Sequence, residues 1–437
     1  MIGTTQFNNQ KLQEEAPMFS KNQISFSPKT PLTHLVAANN NVVMAMANQT
    51  LTRINRDRGE QGQPREENIS LDLKSGAKIS SLFLDPTGTH LLIAVKAEEP
   101  ELLYLHRKWT KPKQCKGFKG TLVTSVGWNY DHNEDHDTGP ILLGTSMGLL
   151  VETEITTSAG YGIVDDVLNY KNNMIDLGEG KHTPITGVQF HQVPGESKYI
   201  VMATTSSSSS SRLYQFHGHV QTSTLLNIEN RPLLQQVFNK SLNNTNKRFV
   251  ELPSSLKYST LSFHFFKTAS KLFPSQFGWM TEPGIYWGRI DPSLGEQNDL
   301  DSFTIDCDMI PTDGDDQEAP PKYAFITEYH VLILYKNRLR VICLLNKQDV
   351  FDDHHDYMYG DLVGMAHDQM KNIYWVYTEY AVYKYQVVNE GRHVWRIYLE
   401  KGQYEMARRC CGDDPEAIDM ILTQQAEKLY SEGRYVI

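Results

Sequence analysis

A chain of 437 residues, 40% hydrophobic and 22% charged, has the composition of an ordinary folded protein and enough length for a large core. Its formal net charge of -10 excludes general nucleic-acid binding, which needs a basic surface to meet the phosphates. No apolar run approaches the roughly 20 residues that cross a bilayer. The opening residues carry Glu14 and Glu15 instead of a signal-peptide core, and Ile2 stands where myristoylation requires glycine.

Residues 1–16 read as a disordered tail. From Pro17 onward one shape recurs: an apolar strand, a short turn, and a second strand rich in aromatic and β-branched residues. The instances run Asn41–Arg56, His90–Arg107, Pro140–Ile155, Tyr199–Gly218, Gln276–Ile290, His330–Leu345 and Asn372–Val388. Alternating strands precede several of them, at Ile79–Leu84, Val123–Trp128, Ile185–Phe190, Leu261–Phe266 and Tyr323–Thr327. Seven hairpins with inner strands upstream predict a mainly β chain, a seven-bladed β-propeller over residues 17–390. Radial repetition suits them because each sheet covers its neighbour and leaves only short edges. No G-H…W-D signature is present. Gln23–Phe26 is the expected closing strand, paired into the last blade.

The polar stretches Arg56–Asn68, Tyr130–Thr138, Gln221–Arg248 and Asp313–Pro321 are expected to be surface loops. The serine run Ser206–Ser211 falls inside a hairpin turn. At Gly391 the period turns helical. Trp395, Tyr398, Leu399 and Ala407 share one face, Gly412 ends that helix, and Asp414–Pro415 opens a second over Glu416–Ser431. In the second, Ile418, Ile421, Leu422 and Ala426 fall on one side. One helical pair cannot bury its own apolar face, so residues 391–437 are expected to be the first helices of an α-solenoid that continues in a longer protein.

Candidate chemistry is sparse. Gly144-Thr-Ser146-Met-Gly148 matches the nucleophile-elbow spacing, and a hydrolase using Ser146 is the enzymatic alternative. That elbow needs a strand entering a helix, whereas here a strand enters a strand, and the glycines suit a turn. His132 and His136 in Asp131–Asp137 have metal-ligand spacing only on a helix; the segment reads as a solvated loop, as does Asp352–Asp356. Asp313-Gly-Asp-Asp lacks the spacing of a calcium loop. Arg53, Arg56 and Arg58 lie close together and could form a local basic patch, but a solvated loop is the preferred reading. Trp279, Trp287 and Trp375 read as blade packing, and Trp395 as a helix anchor. Cys115, Cys307, Cys343, Cys410 and Cys411 form no C-x-x-C pair and fit reduced thiols, and the sequons at Asn48, Asn68, Asn239 and Asn243 are expected to stay unmodified. No catalytic, cofactor-binding or metal residue is assigned, and no motif marks an interaction surface.

The stretch Thr124-Ser-Val-Gly-Trp-Asn129, with Thr138–Gly148 and Glu152-Thr-Glu154, resembles the N-terminal propeller of the vacuolar protein sorting-associated protein 18 (deep orange) family. Met18–Lys21, Thr33–Val36, Phe83–Ile93, Tyr377–Val382 and Val394–Leu399 match in the same order. The resemblance, from about Pro17 to the end, implies a non-enzymatic scaffold subunit of the HOPS and CORVET tethering complexes. Such a subunit works with the other class C sorting subunits and, through them, with SNAREs and small GTPases. It implies a cytoplasmic protein held peripherally on early endosomes, late endosomes, lysosomes or vacuoles, serving docking, fusion, endosome-to-lysosome transport and autophagy. The family's RING, tied to ubiquitin-ligase activity, has no counterpart here, and the insertion Gln221–Arg248 departs from the family's pattern. The chain alone is expected to be monomeric and to need no cofactor. A stand-alone propeller that binds peptides or lipid headgroups is the third reading.

Overall fold

The computed structural model describes residues 17–26, 28–55, 65–157, 167–221, 232–242, 249–253, 259–267, 271–294, 302–312 and 319–433. The chain divides into two compact units, residues 23–384 and residues 1–22 together with 385–437.

The strands form seven four-stranded antiparallel sheets, the blades of a β-propeller. Blade 1 holds β2 (Leu32–Ala38), β3 (Asn41–Met46), β4 (Thr50–Asn55) and β5 (Arg65–Ser70). Blade 2 holds β6 (Lys78–Leu84), β7 (His90–Lys96), β8 (Glu101–His106) and β9 (Lys113–Gln114), and blade 3 holds β10 (Val123–Gly127), β11 (Asp137–Thr145), β12 (Leu149–Thr156) and β13 (Leu168–Asp176). Blade 4 holds β14 (Ile185–Gln192), β15 (Lys198–Ser206), β16 (Ser210–His219) and β17 (Phe249–Pro253). Blade 5 holds β18 (Leu261–Lys267), β19 (Leu272–Thr281), β20 (Gly284–Ile290) and β21 (Thr304–Pro311), and blade 6 holds β22 (Tyr323–Ile326), β23 (His330–Leu334), β24 (Arg338–Cys343) and β25 (Asp349–His354). Blade 7 runs in the order β1 (Phe19–Gln23), β28 (Val382–Val387), β27 (Ile373–Thr378) and β26 (Leu362–Asp368).

The predicted hairpins are the second and third strands of the seven blades. Their second strands look uniformly apolar because both faces are covered: every residue of β3, β23 and β27 is buried. The outer strands went unread because only one face is covered, as in β13 and β17, where exposed and half-buried residues alternate. The stretch Arg56–Asn68 is therefore not all loop: β5 begins at Arg65. The stretch Tyr130–Thr138 likewise runs into β11 at Asp137. The closing strand is Phe19–Gln23, not Gln23–Phe26.

A further repeat emerges only in three dimensions. In five blades the ladder between the innermost and second strands slips one residue after the inner strand begins, at Leu32/His34, Ile79/Ser81, Val123/Ser125, Ile185/Gly187 and Leu362/Gly364. Such bulges bend and twist a strand. Four of the skipped residues are Thr33, Ser80, Thr124 and Thr186, and two join adjacent blades. Thr124 Oγ1 donates to Ile185 O at 2.7 Å, and Ser80 O lies 3.1 Å from His34 Nε2. Blade 7 meets blade 1 through Asp368, a fully buried carboxylate that accepts the backbone N–H groups of Asn39 and Asn40, each at 2.9 Å. Both asparagines have positive φ, as the tight β2–β3 turn requires.

Three helices follow the strands: α2 (Val394–Glu400), α3 (Tyr404–Cys410) and α4 (Pro415–Ser431). The single helix expected before Gly412 is broken at Gly402, whose φ is +69°. Trp395, Leu399, Ala407, Cys411, Ala417 and Ile421 form one buried cluster. Asp414 caps α4 as predicted, its carboxylate accepting from Glu416 N and Ala417 N. Leu422 and Ala426, expected on the covered side of α4, are exposed. No helix among the described residues is long and apolar enough to cross a membrane.

Candidate interaction surfaces

The G-x-S-x-G segment is a hairpin turn between β11 and β12, not an elbow. Gly144 lies at an inter-blade seam, where an added Cβ would sit 2.3 Å from Ser125 Oγ and 2.7 Å from Ile185 Cβ. Gly148 has φ +78°, and a Cβ there would meet Gly178 N at 2.4 Å. Both glycines are thus required by packing. Ser146 anchors the turn through its backbone N–H to Leu122 O at 2.9 Å. Its hydroxyl bonds to neither a histidine nor a carboxylate among the described residues.

The Asp131–Asp137 segment is a clamp. Two of its carboxylates face cations on other elements: Asp131 meets Lys271 at 3.1 Å, and Asp135 meets Arg107 at 2.7 Å and Lys108. The Lys108 hydrogen bond, helped by Arg107, holds the Asp135 carboxyl below its ordinary value. The backbone is held by two blade 2 histidines. His106 Nδ1 accepts from Lys108 N at 3.2 Å, so its Nε2–H donates to Asp135 O at 3.0 Å, and His90 Nε2 reaches Glu134 O at 3.3 Å. Burial lowers the pKa of both rings, keeping them neutral. His132 pairs with Asp137, while the backbone O of His136 accepts from Thr157. No group of three metal-capable side chains converges among the described residues, in this segment or at Asp352–Asp356. Asp313–Asp316 lies outside the described residues.

Arg53 is a strut between blades 1 and 2. Its guanidinium pairs with Glu67 and donates to His106 O and Trp109 O at 3.3 and 3.2 Å. It borders a polar cleft of about 280 Å³ shared with Asn41, Asn55, Arg107 and Lys108. Arg56 and Arg58 lie outside the described residues. Trp279, Trp287 and Trp375 are packed in blade cores, and Trp279 Nε1 donates to Ser259 Oγ at 3.1 Å. Trp395 lies in the helical cluster. The five cysteines are free thiols.

A cavity of about 480 Å³ is lined mainly by innermost strands, with Phe83, Trp128, Phe325, Met365, His34 and His367 on its walls. None of its lining residues is an aspartate, glutamate, lysine or arginine.

Two features escaped sequence reading. The insertion Gln221–Arg248, expected to be a loop, contains a helix, α1 (Gln235–Leu242). Leu233, Leu234, Val237 and Phe238 bury against blades 3 and 4. The fully buried Glu152 on β12 accepts Leu233 N and Leu234 N at 2.6 and 2.7 Å and the Tyr170 hydroxyl at 2.7 Å. The sequence signal was Leu-Leu-x-x-Val-Phe at helical spacing. The second is the adjacent pair Tyr357 and Met358, exposed between β25 and β26; the acidic residues around it drew the reading toward a solvated loop.

The comparisons accord with this geometry. The family model for the Pep3/Vps18/deep orange beta-propeller domain matches residues 17–387, from just before β1 to the last residue of β28. The chain is 33% identical to a vacuolar protein sorting-associated protein 18 homolog of Danio rerio, covering 100% of this chain and 43% of that protein. The Drosophila melanogaster homolog is 30% identical, with 100% and 44% covered. The vacuolar membrane protein pep3 of Schizosaccharomyces pombe is 21% identical, with 97% and 43% covered. The chain thus spans less than half the length of these curated relatives. Among solved structures, the Cps50 (Swd1) β-propeller domain of Myceliophteria thermophila superposes with a TM-score of 0.51 at 9% identity, covering 84% of this chain and 100% of that one; this likeness concerns the fold alone. With the family match running through every blade, the chain belongs to the Pep3/Vps18/deep orange β-propeller domain family.

Proposed function

We propose that the chain is the propeller head of a non-catalytic scaffold subunit in a vacuolar or lysosomal sorting assembly of the HOPS/CORVET type. The observation that carries this reading is the family match across all blades. The fate of the polar residues supports it: the buried carboxylates Glu152 and Asp368, and the neutral His90 and His106, are spent on holding backbone groups. In this reading the propeller is a rigid head, the helices from Val394 begin an arm, and the subunit works peripherally on endosomal and lysosomal or vacuolar membranes without a cofactor. It docks membranes with the other class C subunits and reaches SNAREs and small GTPases through them.

The test is co-purification of the full-length protein with the class C subunits, beside a version lacking everything after Gly391. The full-length protein should assemble, and the isolated head should fold, stay monomeric and leave vesicles unclustered. Failure of the full-length protein to join the assembly would overturn the reading. Unchanged assembly by the truncated head would overturn the division between head and arm.

A further inference from the structure

Tyr357 and Met358 are 69% and 72% exposed, although they are adjacent, large and apolar. Single exposed hydrophobics are ordinary; a rigidly held adjacent pair is not. They occupy one 3-10 turn, Tyr357–Tyr359, in the crossing from blade 6 to blade 7. The backbone is fixed on both sides. His355 N donates to Asn337 O at 2.8 Å, Gly360 N to Tyr357 O at 3.0 Å, and Leu362 N to Lys336 O at 2.9 Å. The buried His355 ring stands edge-on to Tyr383 at 4.6 Å. The turn is therefore presented, not frayed. Leu362 lies opposite Thr378 in the β26–β27 ladder, so Tyr380, 42% exposed in the next turn, emerges at the same end of the blade.

The surroundings hold more carboxylates than cations, the cations being Lys322, which donates to Leu362 O, Lys336 and Arg338. Asp352, Asp353, Asp356 and Asp361 flank the turn in sequence, and Glu379 adjoins Tyr380. Two of them meet cations: Asp352 pairs with Arg338 at 2.9 Å and Asp361 with Lys336 at 3.3 Å. Asp353 stands at the base of the turn, 3.5 Å from the His355 ring that packs on Tyr383, and burial first, then Tyr359, Asp353 and Asp356, raises the Tyr383 phenol above its ordinary value.

An apolar projection in an acidic collar selects its occupant. An anionic bilayer surface attracts basic collars and is repelled by this one. Tyrosine and methionine are enriched where protein interfaces bury their centres, and methionine adapts to irregular apolar clefts. We propose that Tyr357 and Met358 anchor a protein–protein docking surface whose partner offers an apolar cleft rimmed by lysine or arginine. The inference stands on the turn's geometry and charge and does not require the tethering reading.

The test places the photo-cross-linker benzoylphenylalanine at Met358 of the full-length protein in its native assembly and identifies the captured peptide. A control places it at Met370, exposed in the β26–β27 turn at the opposite end of blade 7. Position 358 should capture one partner segment in which lysines or arginines flank apolar residues, and position 370 should not. Capture should fall about tenfold with Asp356→Lys/Asp361→Lys, since like charges facing each other are strongly unfavourable. It should also fall severalfold as salt rises from about 0.1 M to about 1 M, where the Debye length shrinks from about 10 Å to about 3 Å. Tyr357→Ser/Met358→Ser should abolish co-purification of that partner without moving the urea midpoint. No capture at 358, a captured segment without basic residues, or capture indifferent to charge reversal would overturn the proposal. So would binding to phosphatidylcholine–phosphatidylserine vesicles that the serine pair abolishes.

Discussion

Gly144 offers the sharpest test of how the blades fit. Its backbone is ordinary strand, so conformational freedom is not what it supplies; it supplies room. A methyl group added there would lie 2.3 Å from Ser125 Oγ and 2.7 Å from Ile185 Cβ, in the seam between blades 3 and 4. Both neighbours are buried, and Ile185 belongs to an inner strand that cannot retreat without moving blade 4. Overpacking of this kind costs about 1–3 kcal/mol, so Gly144→Ala should lower the urea midpoint by that amount divided by an unchanged m-value. Ser125 Oγ is itself buried without a hydrogen-bond partner, so Ser125→Ala alone should be neutral or stabilising by up to about 1 kcal/mol. The double variant loses its nearest clash while the Ile185 contact remains. A double-mutant cycle should therefore show favourable coupling of at least about 0.5 kcal/mol. Ser146→Ala, in the adjacent turn, should change stability by no more than about 0.5 kcal/mol. A Gly144→Ala variant as stable as wild type, or an additive cycle, would refute the packing explanation of this glycine.

Two further outcomes follow from buried polar groups. Glu152→Gln replaces a carboxylate that accepts two backbone N–H groups with an amide that can turn a donor toward them. It should cost about 2–4 kcal/mol and speed hydrogen exchange across residues 232–242 before the blades loosen. His191, packed against Tyr130, Phe263, Phe265 and Phe273, is pushed down by burial to about 3. The unfolded ring takes up a proton near pH 6.5 while the folded ring does not, so stability falls as pH drops below 6.5 and keeps falling toward 3. At pH 5 the loss from His191 is about 2 kcal/mol, and burial of His34, His90, His106 and His367 acts in the same direction. Urea midpoints measured from pH 7.5 to pH 5 should show this slope, and His191→Gln should reduce it by the His191 share while the other buried histidines keep the rest.

What the sequence revealed depends on how many faces of a strand are covered. Runs such as Val331-Leu-Ile-Leu334 and Ile373-Tyr-Trp-Val376 are buried on both sides and declare themselves without reference to turns. Strands such as β9, with two residues, and β17, five residues in which no side chain is buried, are too short and too open to stand out from loops. Inter-blade stapling by Thr124 was invisible for a different reason: its acceptor, Ile185 O, lies 61 residues away. The glycines of Gly144–Gly148 were visible, but only the neighbours of Gly144 show that the first makes room at a seam and the second supports a turn.

The same geometry bears on where recognition can reside. The blade bodies are committed to one another: their apolar faces are buried between sheets, and buried polar side chains hold backbone at seams, Arg53 between blades 1 and 2, Asp368 between blades 7 and 1, and Glu152 under α1. A substitution in such a face acts on stability first. Surface that can vary without that cost is limited to the turns, the blade crossings and the outer strands, whose alternate residues already face solvent. Most of the exposed turns carry polar residues, as at Ser206–Ser210 and Asp176–Gly180, where side chains bond their own backbone and leave little to offer a partner. The crossing at Asp356–Asp361 differs because its backbone is satisfied from both sides while its largest apolar side chains remain uncovered. A rigid support, an uncompensated apolar surface and a rim richer in carboxylates than in cations are together what such an interface needs, and among the described crossings this one combines all three.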